Sequence, residues 1–226
     1  MSSGERGDET PPPLGRRERR KRETKDRIVE CAVALFASRG YDSTTMEDIG
    51  DCADVSRATV FNHFARKDDI VAEWFGRRRA ELTEIISDAE HQTTDTHSRL
   101  RHSFRGLARL YEDDPTTGRA MVRAWQRAGG PLLPYTSDTP ALFVDIIRSG
   151  QQRGDILPDL DATRAGLVLF DAYLGALYRW VGDEDGRFPL EDNLTAALDL
   201  VLAGIARHPM PGNASPNKSP ATTATA

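Results

Sequence analysis

The side chains best suited to chemistry lie between Ser56 and Lys67, in SRATVFNHFARK. On a helix, Val60 and Phe64 share one face, four residues apart, and leave Arg57, Ala58, Thr59 and Asn62 on the other. Those groups suit base edges. Arg presents a fork to guanine O6 and N7, Asn and Thr hydrogen-bond neighbouring bases, and Ala lets the backbone approach. Catalytic patterns are missing: the chain has no GxGxxG, P-loop, CxxC or HExxH. His91, His97 and His102 are spaced by six and five, so they do not share a helix face. The chemistry expected is therefore recognition of double-stranded DNA, not catalysis, with no metal and no cofactor.

Two short helices must hold those side chains. Met46, Ile49 and Ala53 recur at three and four residues and mark the first helix. Thr44 is its expected N-cap, with Glu47 three residues on completing a capping box. Ala53-Asp54-Val55 is the turn, and Asp54 is its residue most tolerant of a left-handed backbone. Ser56 caps the second helix. An earlier helix is expected over Thr24–Arg39, with Ile28, Cys31, Ala32, Leu35 and Phe36 as its apolar stripe and Gly40 as its stop.

The run IVECAVALFASRGYDSTTMEDIGDCADVSRATVFNHFARKDDIV from Ile28 resembles the N-terminal domain of TetR-family transcriptional regulators. The match is carried by F-A-x-x-G-Y, T-T-x-x-D-I, V-S-x-x-T-x-F-x-H-F and K-x-x-I in succession. Gly50, Asp54, Phe61 and Arg66 depart from the usual Ala, Gly, Tyr and small capping residue. Ser56, Arg57, Ala58, Thr59 and Asn62 are the expected DNA-binding residues of this helix, with Arg57, Thr59 and Asn62 at bases, and the resemblance implies Thr45, His63 and Lys67 on phosphates. It also implies a C-terminal helical domain that encloses an apolar effector cavity.

Charge agrees with that division. The chain of 226 residues carries a net −5, yet residues 16–79 hold fifteen Lys/Arg against twelve Asp/Glu. Residues 80–226 hold fourteen against twenty, so the basic surplus coincides with the DNA-reading unit. RRERRKR at 16–22 reads either as a solvated start to the first helix or as an arm on the phosphates. No apolar run reaches the ~20 residues of a membrane span, and no secretory signal opens the chain, so a cytoplasmic setting is expected. Cys31 and Cys52 are expected as reduced, small core or near-core residues.

The rest reads as all-α: a three-helix DNA-binding domain, then a ligand-binding and dimerisation bundle of about six helices. The expected divisions are a disordered basic arm over 1–22, the DNA-binding domain over 23–70, the bundle over 71–207 and a disordered tail over 208–226. A long helix from Lys67 to about Ala89 joins the first two units. Trp74, Phe104, Trp125, Phe143 and Tyr173 are the expected cavity walls. Helices at 161–181 and 190–207 carry more apolar surface than one bundle covers. Phe170, Leu174, Leu194, Leu198, Val201 and Leu202 are their expected homodimer contacts. The reading is a repressor released from a palindromic operator by a small hydrophobic or amphipathic effector. The alternative is a helical small-molecule-binding protein whose DNA-binding unit no longer works.

Overall fold

A computed structural model describes residues 15–92, 95–130, 139–183 and 185–205. The expectations for the first fourteen residues, for most of the 131–140 loop and for the tail after 205 lie outside the described residues. The described residues are all-α: α1 (Arg16–Arg39), α2 (Met46–Cys52), α3 (Arg57–His63), α4 (Lys67–Gln92), α5 (Thr96–Glu112), α6 (Pro115–Arg127), α7 (Thr139–Arg153), α8 (Ala162–Gly182) and α9 (Leu190–Ile205).

The first helix starts eight residues earlier than Thr24. Arg16–Arg22 are its exposed opening turns and not a disordered arm, so the boundary expected at 22 is wrong. Arg and Lys are good helix formers, and Arg19–Glu23 form an i,i+4 pair at 3.7 Å. Ile28, Val29, Ala32 and Phe36 bury the later face, and Gly40, at φ 84°, donates its N–H to Phe36 O. The cap of α2 is also one residue later than expected. Thr45, not Thr44, accepts from the Asp48 N–H, and the Asp48 carboxylate accepts from the Thr45 N–H at 2.8 Å. Thr44 is instead buried, with its hydroxyl on Gly40 O. The shorter Asp reaches back from N3 as Glu does in the usual capping box.

Helix α4 is common to both parts of the molecule. Ile70, Val71 and Trp74 close the core beneath α1–α3, and Leu82 is buried farther along. Lys25–Glu73 at 2.7 Å and Arg77–Asp26 at 2.7 Å tie it to α1. In the second domain α7 and α8 are tightly packed. A Cβ on Gly166 would lie 2.4 Å from Val144 Cγ2 and 2.8 Å from Val144 N, so only glycine allows this approach. Asp95, Asp114 and Asp161 cap α5, α6 and α8, and Pro115 opens α6 where its missing N–H costs nothing. Arg101 donates to both oxygens of Asp199 at 2.6 Å and pins α5 to α9.

Candidate nucleic-acid interface and effector core

The turn before α3 forms as its residues dictate. Asp54 takes φ 52°, the one positive φ among non-glycine described residues. Val55 N–H returns to Gly50 O at 3.0 Å. A Cβ on Gly50 would stand 3.1 Å from Val55 O and 3.3 Å from Val60 Cγ2, so α2 and α3 cross in tight contact there. Ser56 Oγ then accepts from the Thr59 N–H at 3.2 Å. Val60 is fully buried and Phe64 nearly so, which fixes α3 to the core by one side.

Arg57, Ala58 and Asn62 are exposed on the opposite side. Phe61 is exposed beside them, with the Arg57 guanidinium over its ring at 5.4 Å. In the sequence Phe61 stands out only as a departure from the usual Tyr. Its i,i+4 spacing from Arg57 was the signal that it braces the arginine. Thr59 is half-buried, and its hydroxyl lies 2.8 Å from Ser56 Oγ, so that pair is partly occupied with capping.

The expected phosphate holders divide. Thr45 is exposed at the start of α2, but its hydroxyl donates to Asp48 Oδ2 at 2.6 Å. That bond holds the Asp48 carboxyl below its ordinary range. His63 is half-buried. Burial first, then Lys21 and Lys25, push its imidazole below the usual value, so a cationic patch from α1 faces the end of α3. Lys67 is the surprise. Its ammonium donates to Tyr41 O and Thr44 O, both at 2.7 Å, and lies 4.3 Å from the Tyr41 ring centroid. It fastens the first turn of α4 to the link between α1 and α2. Tyr41 OH bonds Asp68, and burial followed by that carboxylate raises the phenol well above its ordinary value.

In the second domain three of the five expected cavity residues join one chain of rings. Trp125 packs on Phe75 at 5.2 Å, Phe75 on Trp74 at 4.9 Å, and Trp74 on Tyr111 at 6.2 Å. Tyr111 and Tyr173 share a buried hydroxyl–hydroxyl bond of 3.0 Å. Burial pushes Tyr111 up to about 12 and Tyr173 well above its ordinary value, so both hydroxyls keep their protons. Tyr178 stacks on Trp125 at 6.3 Å, and its enclosed hydroxyl has no partner among the described residues. Phe104 and Phe143 form a separate pair at 5.4 Å with no exposure, as packed core. Phe75, Tyr111 and Tyr178 also belong to the ring chain, beyond the residues expected from the sequence. A groove of about 470 Å³ opens between the two domains, with Phe36, Tyr41 and Asp42 on one side and Arg119, Arg123 and Arg127 on the other.

Most of the expected dimer contacts are covered within a single chain. Phe170, Leu194, Leu198 and Leu202 are buried within one chain, against its own core. Helices α8 and α9 meet each other and, through α9, α5, and this consumes the heptad-like stripe. Only Leu174 and Val201 remain partly uncovered, while Val168 and Leu200 are 50% and 77% exposed.

A family model described as "Bacterial regulatory proteins, tetR family" matches residues 28–74. The HTH-type transcriptional regulator TcmR of Streptomyces glaucescens is 39% identical over 207 residues, spanning 87% of this chain and 85% of that protein. The chain belongs to the TetR family. It is a ligand-responsive, DNA-binding transcriptional regulator. The probable acrEF/envCD operon repressor of Escherichia coli K12 is 24% identical over 192 residues, covering 79% of this chain and 85% of the relative. The structure of Thermus thermophilus FadR, a TetR-family repressor in complex with lauroyl-CoA, superposes with a TM-score of 0.65 at 28% identity. It covers 83% of this chain and 98% of that one. No helix among the described residues is long and apolar enough to cross a membrane.

Proposed function

We propose that this TetR-family chain is a repressor that grips a palindromic operator as a homodimer and lets go when a small apolar or amphipathic molecule enters the second domain. The outward face of α3 carries the reading: Arg57, Ala58 and Asn62 stand exposed over the fully buried Val60. A single seven-residue helix makes few base contacts, and a two-fold partner doubles them on a palindrome. The partner packs on the uncovered residues of α8 and α9, Val168, Leu174, Leu200 and Val201. The effector enters among Trp74, Phe75, Tyr111, Trp125, Tyr173 and Tyr178, where apolar rings surround a few hydroxyls. The lauroyl-CoA in the Thermus relative supports an amphipathic effector. Because α4 forms part of both domains, a ligand that moves its Trp74–Leu82 stretch changes the spacing of the two α3 helices. Such coupling is typically ~1–3 kcal/mol. The test is fluorescence anisotropy on DNA upstream of the protein's own gene, with apolar and phosphorylated compounds added in turn. Release by polar phosphate esters that carry no apolar chain, with every apolar or amphipathic compound inactive, would overturn the effector class.

A further inference from the structure

We propose that Cys31 and Cys52 are a reversible redox site, a dithiol–disulfide pair that takes low-molecular-weight disulfides as its oxidant and sets how firmly α2 is held to α1. They are the only cysteines in the chain. The structure joins them in a disulfide across 21 residues, with Cα atoms 5.8 Å apart, inside the range that a bridge spans without backbone movement. The expectation that both stay as reduced packing residues is therefore corrected.

Three observations make the bridge a switch instead of a structural requirement. The core beneath it is complete without it, since Ile28, Val29, Ala32, Phe36, Ile49 and Ala53 are all buried. Cys52 is exposed and Cys31 only half-buried, so the bridge lies at the surface of the α1–α2 contact and not in the core. The bond also sits where it matters: α1 packs on α6 of the effector domain, and α2 packs on the DNA-reading α3. Closing it constrains the path between them.

The chemistry balances by two exchanges. A Cys52 thiolate attacks RSSR, forming a mixed disulfide and expelling RS⁻, which takes up the proton that Cys52 lost. The Cys31 thiolate then attacks the Cys52 sulfur, forming the bridge and expelling a second RS⁻. In sum two protein thiols are oxidised and one RSSR is reduced to two RSH; excess RSH reverses both steps.

The test uses the full chain in mixtures of reduced and oxidised glutathione. Expected are two titratable thiols at the reducing end, none at the oxidising end, and a mass lower by two hydrogens. The thermal midpoint should be about 6–12 °C higher in the bridged form, as a closed loop of this length implies. The Cys31→Ser/Cys52→Ser double variant should fold and show a midpoint indifferent to the mixture. Two thiols persisting in oxidised glutathione, a mixed disulfide that never closes, or a bridge that dithiothreitol fails to open in the folded chain would each overturn the site. Equal midpoints at the two ends would overturn the effect on α1 and α2. None of these measurements needs an operator, so failure here leaves the DNA-reading proposal untouched.

Discussion

Replacing Lys67 with Met tests how α4 is fastened to the DNA-reading unit. Met keeps much of the stem's volume and removes the ammonium. Two hydrogen bonds of 2.7 Å vanish, those to Tyr41 O and Thr44 O. Thr44 is buried, so its carbonyl region is poorly placed to recruit water in compensation. Bonds from a charged donor contribute ~1.5–3 kcal/mol each, and the lower end applies because Lys67 is only partly buried. The ring contact at 4.3 Å adds ~0.5 kcal/mol. The sum is about 3.5 kcal/mol, or roughly 7–14 °C in the thermal midpoint of a chain this size. Scanning calorimetry measures that fall. Anisotropy at several salt concentrations gives a second reading: if the third N–H of the ammonium reaches a phosphate, the salt slope also drops by ~1. A midpoint within 1 °C of wild type would refute the fastening role, whatever the slope does.

Arg57→Ala should cost ~1–3 kcal/mol of operator affinity and relax preference at one base pair, as binding to a set of singly substituted operators would reveal. Leu200→Glu should yield folded monomers by light scattering, because Leu200 is 77% exposed in the single chain. Leu198→Ala should instead cost the ~2–5 kcal/mol of a core truncation, seen as a fall in the thermal midpoint, since Leu198 is fully buried. If His63 holds a phosphate, the bound form favours its proton. Its free imidazole is held below the ordinary 6.5 by burial, Lys21 and Lys25, so affinity should rise as pH falls from 7 to 5.5. His63→Gln should remove that rise, and a wild type flat in pH would place the phosphate elsewhere. Folding stability has the opposite sign: a lowered imidazole contributes stability above 6.5 that fades as pH falls. Trp125→Ala should weaken effector-induced release more than Phe143→Ala, because only Trp125 belongs to the ring chain.

Much of the DNA-reading unit was legible because its signals are local. Asp54 at a left-handed turn, Ser56 as a cap and Val60/Phe64 as the inward face depend on neighbours within four residues. The number and order of helices follow from the same short-range periodicity, as does the Asp161 cap. Cap position at α2 was misjudged by one residue, because Thr44 and Thr45 are chemically alike and only the burial of Thr44 separates them. The bridge from Cys31 to Cys52 was hidden because it spans 21 residues, and spacing on separate helices says nothing of their crossing. Lys67 reads as a basic residue beside a DNA-binding helix; only the folded path of residues 41–44 puts two carbonyls around its ammonium. The stripe on α9 was apolar as read, but periodicity gives a face without naming its occupant. Packing against α5 and α8 decides that Leu194 and Leu198 belong to this chain's own core, and it leaves Leu200 facing outward.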